Sequence, residues 1–425
     1  MTLRVLFATW EGGGHVAPAL MVAHQLAQLG ARVRVVSDEA NRAAAQAQGL
    51  EFTSWRLAPN RQRAGDAANS VQDWRAQTPD SVINQICQEV VCGPAAAYAA
   101  DTRHILAQFA PDLIVTNEML FGVMLAAEAA GIPFAILTGN LWPFPTRLDL
   151  PPFGPGLKPA REDMDFTRDD MIRRAVSAVY DTHLPRLNGA RAANGLAPLG
   201  AVLSQLDGAR LIGLSVAQAF DFGTDPAPAP FFYAGPMVRD PDWVGDAALP
   251  FVRDHRPLVL ISTSTLYQGQ EDMLRRCIEA VRDEPVQAVV TLGPALHPAD
   301  FQDVPANVHV LANASHDALV PHCALVISHA GHGTLMRPLL QGVPVINLPM
   351  GRDQPDNAMR ASVRGVGLTL SPQAPAHTIK EALRLVLGEG RYREAARQLG
   401  EKMRAEADGG VRVARRLAQI AGEKG

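Results

Sequence analysis

Short apolar segments alternate with helical stretches along this chain, and the alternation occurs twice. In the first half, apolar runs of strand length are LRVLFAT (3–9), ARVRVVS (31–37), DLIVTN (112–117), PFAILT (133–138) and ARLIGLS (209–215). In the second half they are PLVLIST (257–263), QAVVTLG (287–293), NVHVL (307–311), ALVISHA (324–330) and VPVINLP (343–349). Strands that alternate with helices predict parallel sheets covered on both faces. We therefore expect an α/β protein with two doubly wound, Rossmann-like domains.

A stretch rich in proline, glycine and aspartate separates the two halves. Residues 221–250 contain DFGTDPAPAP and MVRDPDWVGDAALP, which interrupt the apolar periodicity and favour a linker. The 425 residues also exceed what one hydrophobic core usually supports. We predict an N-terminal domain over residues 1–220, a linker over 221–250, a second domain over 251–405 and a C-terminal helix over 406–425.

Composition limits the classes of partner. The formal net charge of -4 provides no field that would attract nucleic acid or anionic lipid, so we expect small-molecule partners. The four cysteines form no CxxC pair and no spacing typical of a zinc site, which predicts reduced thiols. No apolar run approaches the ~18 residues of a membrane span, and the N-terminal run is too short for a signal peptide. These features predict a cytoplasmic protein without a membrane span.

The first strand is followed by a glycine-rich turn that fits a dinucleotide-binding pattern. GGGHVA (12–17) matches G-x-G-x-x-A, and Asp38 follows the second strand at the position that would bind a ribose. This pattern supports one alternative function, an NAD-dependent oxidoreductase. Three consecutive glycines satisfy the pattern easily, and a Ser-Asp pair at a strand end is also a common helix cap.

A second turn, in ISHAGHGTLM, predicts an anion site. The strand ends before His329, and Gly331, His332 and Gly333 lead into a helix near Thr334. The free N–H groups and positive end of a helix N-terminus favour a phosphate there, and glycine allows close approach. Alternatively, the histidines only cap a turn and the glycines only reverse the chain.

Asp353 and Gln354 follow the next strand, so a βαβ step places them at the same edge of the sheet as His329. A carboxylate and an amide can bind several sugar hydroxyls, whereas a phosphate alone would not require an aspartate. The alternative is that Asp353 caps the following helix.

HAGHGT followed by GVPVINLPMGRDQPDNA resembles the nucleotide-sugar signature of the UDP-glycosyltransferase superfamily, and specifically bacterial natural-product glycosyltransferases of family 1. GGGHVAP, PDLIV and YAGPMV fit the same plan, so the resemblance covers nearly the whole chain. It implies a GT-B fold, in which two Rossmann-like domains face each other across a cleft. The acceptor would bind mainly to the first domain and the nucleotide sugar to the second, and the last helix would pack back on the first.

The resemblance also implies roles for the residues of the second domain. His329 would contact the diphosphate with support from Gly331 and Thr334, and Asp353 and Gln354 would hold the sugar. The donor-binding set predicted in this way is Ser264, Thr265, Asn313, His316, His329, Gly331, His332, Gly333, Thr334, Asp353 and Gln354. Ser264 and Thr265 could instead cap a helix. Asn313 stands where many members of the family have a tryptophan that stacks on the nucleotide base. His316 could provide the stacking face in its place.

His15 matches the general base of the family, although a lone loop histidine is more often a turn residue. The family's aspartate that orients this base falls at Asn117, and Glu118 is the only nearby carboxylate. Because side chains of adjacent strand residues point to opposite faces, only one of the two can meet His15. We expect Asn117 to orient His15 and Glu118 to be minor.

The expected function is inverting transfer of a sugar from a UDP- or TDP-sugar to a hydroxyl group. The acceptor would be a small, largely apolar molecule, such as an aromatic or polyketide-like natural product, and neither a metal nor a cofactor is expected. Trp142, Phe144 and Phe153 are predicted to line the acceptor pocket, or else to belong to a rigid loop packed on the surface. A nucleotide-sugar-binding protein with weak catalysis is a further alternative because of Asn117. The sequence leaves open whether the protein is a monomer or a homodimer.

Overall fold

The computed structural model describes residues 2–12, 14–63, 78–238, 254–263, 267–293, 296–406 and 408–422. Within these ranges, the N-terminal domain is built on a sheet of seven parallel strands in the order β3-β2-β1-β4-β5-β6-β7. The strands are β1 (Arg4–Ala8), β2 (Arg32–Ser37), β3 (Glu51–Ser54), β4 (Leu113–Thr116), β5 (Phe134–Thr138), β6 (Ala209–Leu214) and β7 (Phe231–Tyr233). Strand β7 lies inside the stretch that was predicted as a linker, and residues 239–250 of that stretch lie outside the described ranges.

Helices cover both faces of this sheet. They are α1 (Val16–Gln28), α2 (Arg42–Ala47), α3 (Pro79–Ile86), α4 (Ala95–Phe109), α5 (Phe121–Ala129), α6 (Asp163–Asp181) and α7 (Leu184–Ala192). Successive side chains of a strand point to opposite faces, and β1 shows the result. Val5 and Phe7 pack in the cluster that contains α1, whereas Leu6 and Ala8 pack in the cluster that contains α4 and α5. The near-continuous apolar strands are thus buried on both sides.

The C-terminal domain repeats this plan with six described parallel strands in the order β10-β9-β8-β11-β12-β13. The strands are β8 (Leu258–Ser262), β9 (Gln287–Thr291), β10 (Val308–Leu311), β11 (Cys323–Ser328), β12 (Val345–Asn347) and β13 (Gly367–Thr369). The helices are α8 (Glu271–Ala280), α9 (His316–Leu319), α10 (His332–Leu340), α11 (Gln354–Val363), α12 (Ala376–Gly388) and α13 (Gly390–Ala405). The predicted α/β class with two doubly wound units is confirmed.

The last described helix, α14 (Gly409–Gly422), packs on the N-terminal domain rather than on the domain that precedes it. Val413, Ala414 and Leu417 are buried in the same hydrophobic cluster as α1. The approach is close at Gly410, where an added Cβ would lie 3.5 Å from the Gln25 side chain.

Each sheet has one point where the strand order reverses, between β1 and β4 in the first and between β8 and β11 in the second. Ligands of open α/β sheets bind beyond the carboxyl ends of the strands at such points. Residues 9–15 and 117–118 follow β1 and β4, and residues 263 and 329–331 follow β8 and β11. The fold therefore brings the two predicted site segments of each domain to its crevice.

Candidate active site

His15 lies at the crevice of the N-terminal domain, directly before α1. Its Nδ1 atom is 3.4 Å from Oε1 of Glu118, whose side chain is completely buried. These two atoms have no hydrogen-bond partner among the described residues. The Trp10 ring stacks beside His15 with 6.2 Å between ring centroids and 22° between the planes. In this position the Nδ1 atom of His15 faces the buried Glu118 carboxylate.

Asn117 supports Glu118 rather than His15. Its Nδ2 donates to Oε2 of Glu118 at 2.6 Å. Its Oδ1 accepts hydrogen bonds from Trp10 Nε1 at 2.9 Å and from the Met119 N–H at 3.0 Å. The expectation that Asn117 would orient His15 is therefore wrong. Strand β4 ends at Thr116, so both residues lie in the turn beyond it, where the alternation of faces no longer applies.

Burial raises the pKa of Glu118, although its proximity to His15 and a hydrogen bond with Thr138 lower it. A buried carboxylate of this kind gains strongly from a positive neighbour. A proton taken up by His15 would therefore be stabilised by Glu118.

In the second domain, His329 is buried beyond the end of β11, only 4% exposed. Burial, together with the smaller effect of the Arg352 charge, lowers the pKa of His329 to about 4, and a hydrogen bond with the Ser262 backbone partly opposes this shift. Its Nδ1 atom has no partner among the described residues. A Cβ on Gly331 would overlap the His329 ring, so any larger residue there would displace the ring.

The first turn of α10 presents backbone donors beside His329. Gly331 is the N-cap residue, and the first bond that closes the helix runs from the Leu335 N–H to the Gly331 carbonyl at 2.9 Å. The N–H groups of His332, Gly333 and Thr334 precede that bond, so the helix itself leaves them without acceptors. The first turn carries no acidic residue. This arrangement suits an anion.

His332 was predicted to bind the donor, but its Nε2 donates to the Ser215 carbonyl of the N-terminal domain at 3.0 Å. Burial lowers the pKa of His332, while nearby Asp353 raises it. His332 thus joins the two domains at the cleft, and only its Nδ1 atom is without a partner among the described residues.

Asp353 precedes α11, yet its side chain makes no capping hydrogen bond. Instead, Oδ2 accepts from Asn357 Nδ2 at 2.8 Å, and the same nitrogen donates to the Ala330 carbonyl at 3.0 Å. Asn357 thereby ties the Asp353 carboxylate to the turn that follows His329. Sequence reasoning missed Asn357, although its spacing of four residues from Asp353 places both on one helix face.

Gln354 is buried and its amide is engaged within the domain. Its Oε1 accepts from the Met350 N–H at 2.7 Å, and its Nε2 donates to Gln268 Oε1 at 2.9 Å. The structure thus shows Gln354 bracing the loop before α11, next to Asp353.

The remaining predicted donor residues surround this crevice. Ser264 and Thr265 lie outside the described residues, but Thr263 directly before them has a buried hydroxyl without a partner in the described ranges. Asn313 is exposed. His316 begins α9, and its Nε2 lies 2.9 Å from the Thr291 hydroxyl at the end of β9.

Two of the three aromatic residues predicted to line an acceptor pocket are core residues. Trp142 and Phe144 are each 3% exposed and pack edge-on against each other, with 5.2 Å between ring centroids. Trp142 also packs on Phe231, and Phe144 on Tyr180. This packing favours the alternative of a rigid loop, with rings buried in the core rather than on the surface. Phe153 is only partly buried.

The dinucleotide alternative finds little support at Asp38. Its carboxylate accepts from the Glu11 N–H at 2.7 Å and from the Arg61 N–H at 2.5 Å, so it ties two loops together. A Cβ on Gly12 would lie 2.6 Å from the Trp10 ring, which therefore covers this part of the glycine turn. Gly13 lies outside the described residues.

The described residues contain neither a cluster of metal ligands nor a membrane-spanning helix. Among them, no group of three or more His, Cys, Asp or Glu side chains could hold a metal ion. The sequence has two Asp-x-Asp strings, a short pattern that also arises by chance. In the first, at 163–165, Asp165 caps α6 by accepting from the Arg161 and Glu162 N–H groups. The second, at 240–242, is outside the described ranges. No helix in these ranges combines the length and apolar character needed to cross a bilayer.

Known proteins resemble this chain in sequence and in fold. Residues 276–420 match the family model described as Erythromycin biosynthesis protein CIII-like, C-terminal domain. The chain is 28% identical to 4'-demethylrebeccamycin synthase of Lentzea aerocolonigenes, and the match covers 95% of this chain and 96% of that protein. The chain is also similar to NDP-glycosyltransferase YjiC of Bacillus licheniformis, at 25% identity over 87% of this chain and 86% of that protein. The resemblance predicted from the sequence is thereby confirmed.

Solved glycosyltransferases share the whole fold. The glycotransferase of kitacinnamycin superposes with a TM-score of 0.77 at 16% identity, covering 98% of each chain. The glycosyltransferase VinC in complex with DTDP superposes with a TM-score of 0.70 at 20% identity, covering 99% of this chain and 100% of VinC. The fold of this chain is GT-B, as the sequence resemblance implied.

Proposed function

We propose that this protein transfers a sugar from a UDP- or TDP-sugar to a hydroxyl group of a small, apolar natural-product acceptor, with inversion and without a metal ion. The observation that carries the proposal is the pairing of His15 with Glu118 at one crevice, while His329 and the α10 N-terminus form the other. A base and an anion site on the two domains of a GT-B fold match the needs of this reaction. The names of the relatives support the same chemistry.

In the proposed reaction, the acceptor oxygen attacks the anomeric carbon from the face opposite the nucleotide. The new C–O bond forms as the bond from the anomeric carbon to the diphosphate oxygen breaks. The acceptor proton passes to His15, and Glu118 stabilises the resulting imidazolium. The electron pair of the broken bond stays on the diphosphate, where His329 and the N–H groups of Gly333 and Thr334 stabilise the charge. Asp353 binds sugar hydroxyls and Asn357 holds its carboxylate.

Titration of the protein with UDP and TDP, followed by transfer assays with a panel of phenols, tests this function. His329→Ala should lower transfer by ~10²–10³, which is typical when a donor to a developing anion is lost. Asp353→Ala should impair use of the intact donor far more than binding of the free nucleotide. Unchanged turnover in His329→Ala, or equal losses for both ligands in Asp353→Ala, would contradict the assignment of the site.

A nucleotide-sugar-binding protein with weak catalysis was the alternative that Asn117 kept open. The contact between His15 and Glu118 weakens this alternative, because the carboxylate is present one residue later. Nucleotide binding without any transfer or donor hydrolysis would restore it.

A further inference from the structure

Helix α11 of the C-terminal domain and its C-cap residue, Arg364, provide three side chains that bind the N-terminal domain. Asp356 Oδ2 accepts a hydrogen bond from the Gly154 N–H at 2.6 Å. Arg360 forms a buried ion pair with Asp221 at 2.7 Å. Arg364 donates to the Asp221 carbonyl at 2.6 Å. The helix that begins beside the predicted sugar-binding residues is thus also a main contact of the acceptor-binding domain.

The contact made by Asp356 involves residues 153–156, which we call the Phe153 turn. Asp356 is 1% exposed, and the backbone of Gly156 bonds to the same carboxylate. Gly154 and Gly156 have φ values of +110° and +65°, a conformation that other residues rarely adopt. A Cβ on Gly156 would lie 2.7 Å from the Pro355 carbonyl oxygen, so the turn sits directly on the first residues of α11.

The buried Asp356 carboxylate links the Phe153 turn to helix α11. A buried charge is costly unless it is paired or accepts hydrogen bonds, and here the bonds come from a turn of the other domain. Phe153 begins that turn and is the one predicted acceptor residue that the core does not fully enclose. Asp353, predicted to hold the sugar, precedes Asp356 by three residues at the start of the same helix.

We propose that Asp356 is a positioning residue that holds the Phe153 turn, and with it the acceptor side of the cleft, against the donor-binding helix. This inference rests on the proposed function, because it assigns the turn to acceptor binding. Through Asp356, helix α11 would position the acceptor as well as the sugar donor. Asp356 itself touches neither substrate in this scheme.

Asp356→Asn and Gly156→Ala test the link from its two sides. The first keeps the size of the side chain but removes its charge and one acceptor oxygen. The second inserts a methyl group where Pro355 leaves no room. Glu284→Gln is the matched control, because Glu284 is a buried carboxylate whose partners Arg384 and Lys380 belong to its own domain. Thermal unfolding of each variant checks that the chain folds.

The first measurement is amide hydrogen exchange of peptides that cover residues 153–157 without any ligand. We expect exchange to be roughly 10-fold faster or more in Asp356→Asn and unchanged in Glu284→Gln, since a charge-assisted bond restrains these amides. The double variant Asp356→Asn/Gly156→Ala should exchange no faster than the faster single variant, because both changes release the same turn. Unchanged exchange in both single variants would overturn the proposal.

The second measurement separates positioning from a general loss of structure. We expect the acceptor KM to rise about 10-fold in Asp356→Asn, while the Kd for UDP or TDP changes less than about 2-fold. Equal losses for acceptor and nucleotide would overturn the positioning role. Should the wild-type protein transfer no sugar, the proposed function fails, whereas the exchange measurement still decides whether Asp356 anchors the turn.

Discussion

At the scale of single residues, Glu118 faces His15 while Asn117 donates to Glu118 and accepts from Trp10. The carboxylate that accompanies His15, the proposed base, thus comes from the turn after β4, one residue beyond its expected place. Asn117 and Trp10 fix the position of Glu118 instead of contacting His15. His15 therefore has a carboxylate neighbour even though residue 117 is an amide.

We predict that His15→Ala lowers transfer to weakly acidic alcohols by ~10²–10⁴, because proton removal in the transition state is lost. The affinity for UDP or TDP should stay close to that of the wild type, since the proposed nucleotide site lies in the other domain. Steady-state kinetics and nucleotide titration check both statements. A nitrophenol acceptor, which ionises without help, should depend on His15 least, and equal dependence of all acceptors would contradict a role as base.

We predict that Glu118→Gln also lowers transfer, by at least about 10-fold, because an amide cannot stabilise the imidazolium. Asn117→Asp should lower transfer too, since it places a second carboxylate against Glu118 and removes the donor to it. The pH profile of kcat/KM for the three proteins provides the measurement. An Asn117→Asp variant that is faster than wild type would show that residue 117, not Glu118, acts on the base.

The lowered pKa of His329 has a consequence for stability. The folded-state pKa of about 4 lies below the ordinary value of 6.5, so the unfolded chain binds more protons between these values. The contribution of His329 to the stability of the folded state is present above pH 6.5 and is lost as the pH falls towards 4. From pH 7 to pH 5 this residue should cost about 2 kcal/mol of stability. Denaturant unfolding of wild type and His329→Gln at both pH values checks it, and an equal pH dependence of the two would refute it.

Local patterns identified some of these residues and not others. His15, His329 and Asp353 follow strands, so the parallel sheet alone predicts that they reach its carboxyl edge. The contact of His332 with Ser215 could not be predicted in this way, because it depends on how the two domains pack. The burial of Trp142 likewise depends on rings supplied by distant segments.

At the scale of elements, the apolar periodicity located every central strand and missed three others. The missed strands, β3, β7 and β13, are three or four residues long and lie at the edges of their sheets. An edge strand has one partner and needs fewer buried residues, so its apolar signal is weak. Strand β3 illustrates this, because all four residues of EFTS are only partly buried.

Helix α14 permits a prediction about the N-terminal domain. Leu417 is 1% exposed and belongs to the cluster formed with α1. We predict that Leu417→Ala lowers the free energy of unfolding by roughly 2–5 kcal/mol, through lost burial and the cavity left behind. The matched control is Arg415→Ala on the exposed face of the same helix, which should have little effect. Chemical denaturation of both variants gives the comparison, and similar results for the two would show that α14 contributes no packing.

At the scale of the whole molecule, a buried network joins the domains. Asp221 accepts from Arg360 at 2.8 Å and from the Tyr233 hydroxyl at 2.7 Å. Burial would raise the pKa of Asp221, but Arg360 and Tyr233 together lower it. The carboxylate is therefore ionised and depends on a cation from the other domain.

We predict that Arg360→Met destabilises the protein by roughly 3–5 kcal/mol, because it leaves the Asp221 charge buried without its main partner. Arg174→Met is the control, since Arg174 pairs with Asp170 on the surface of α6. Differential scanning calorimetry should show a lower midpoint for Arg360→Met, with the two domains unfolding separately. A thermogram like that of the control would mean that the domains do not depend on this pair.

The return of α14 to the first domain has a consequence during synthesis. The ribosome releases α1 early, but the side chains of Val413 and Leu417 that cover it emerge only after the entire second domain has been made. Until then an apolar face of the nascent first domain stays open to water, and such surfaces promote aggregation and recruit chaperones. The first domain therefore completes its packing last, even though it is translated first.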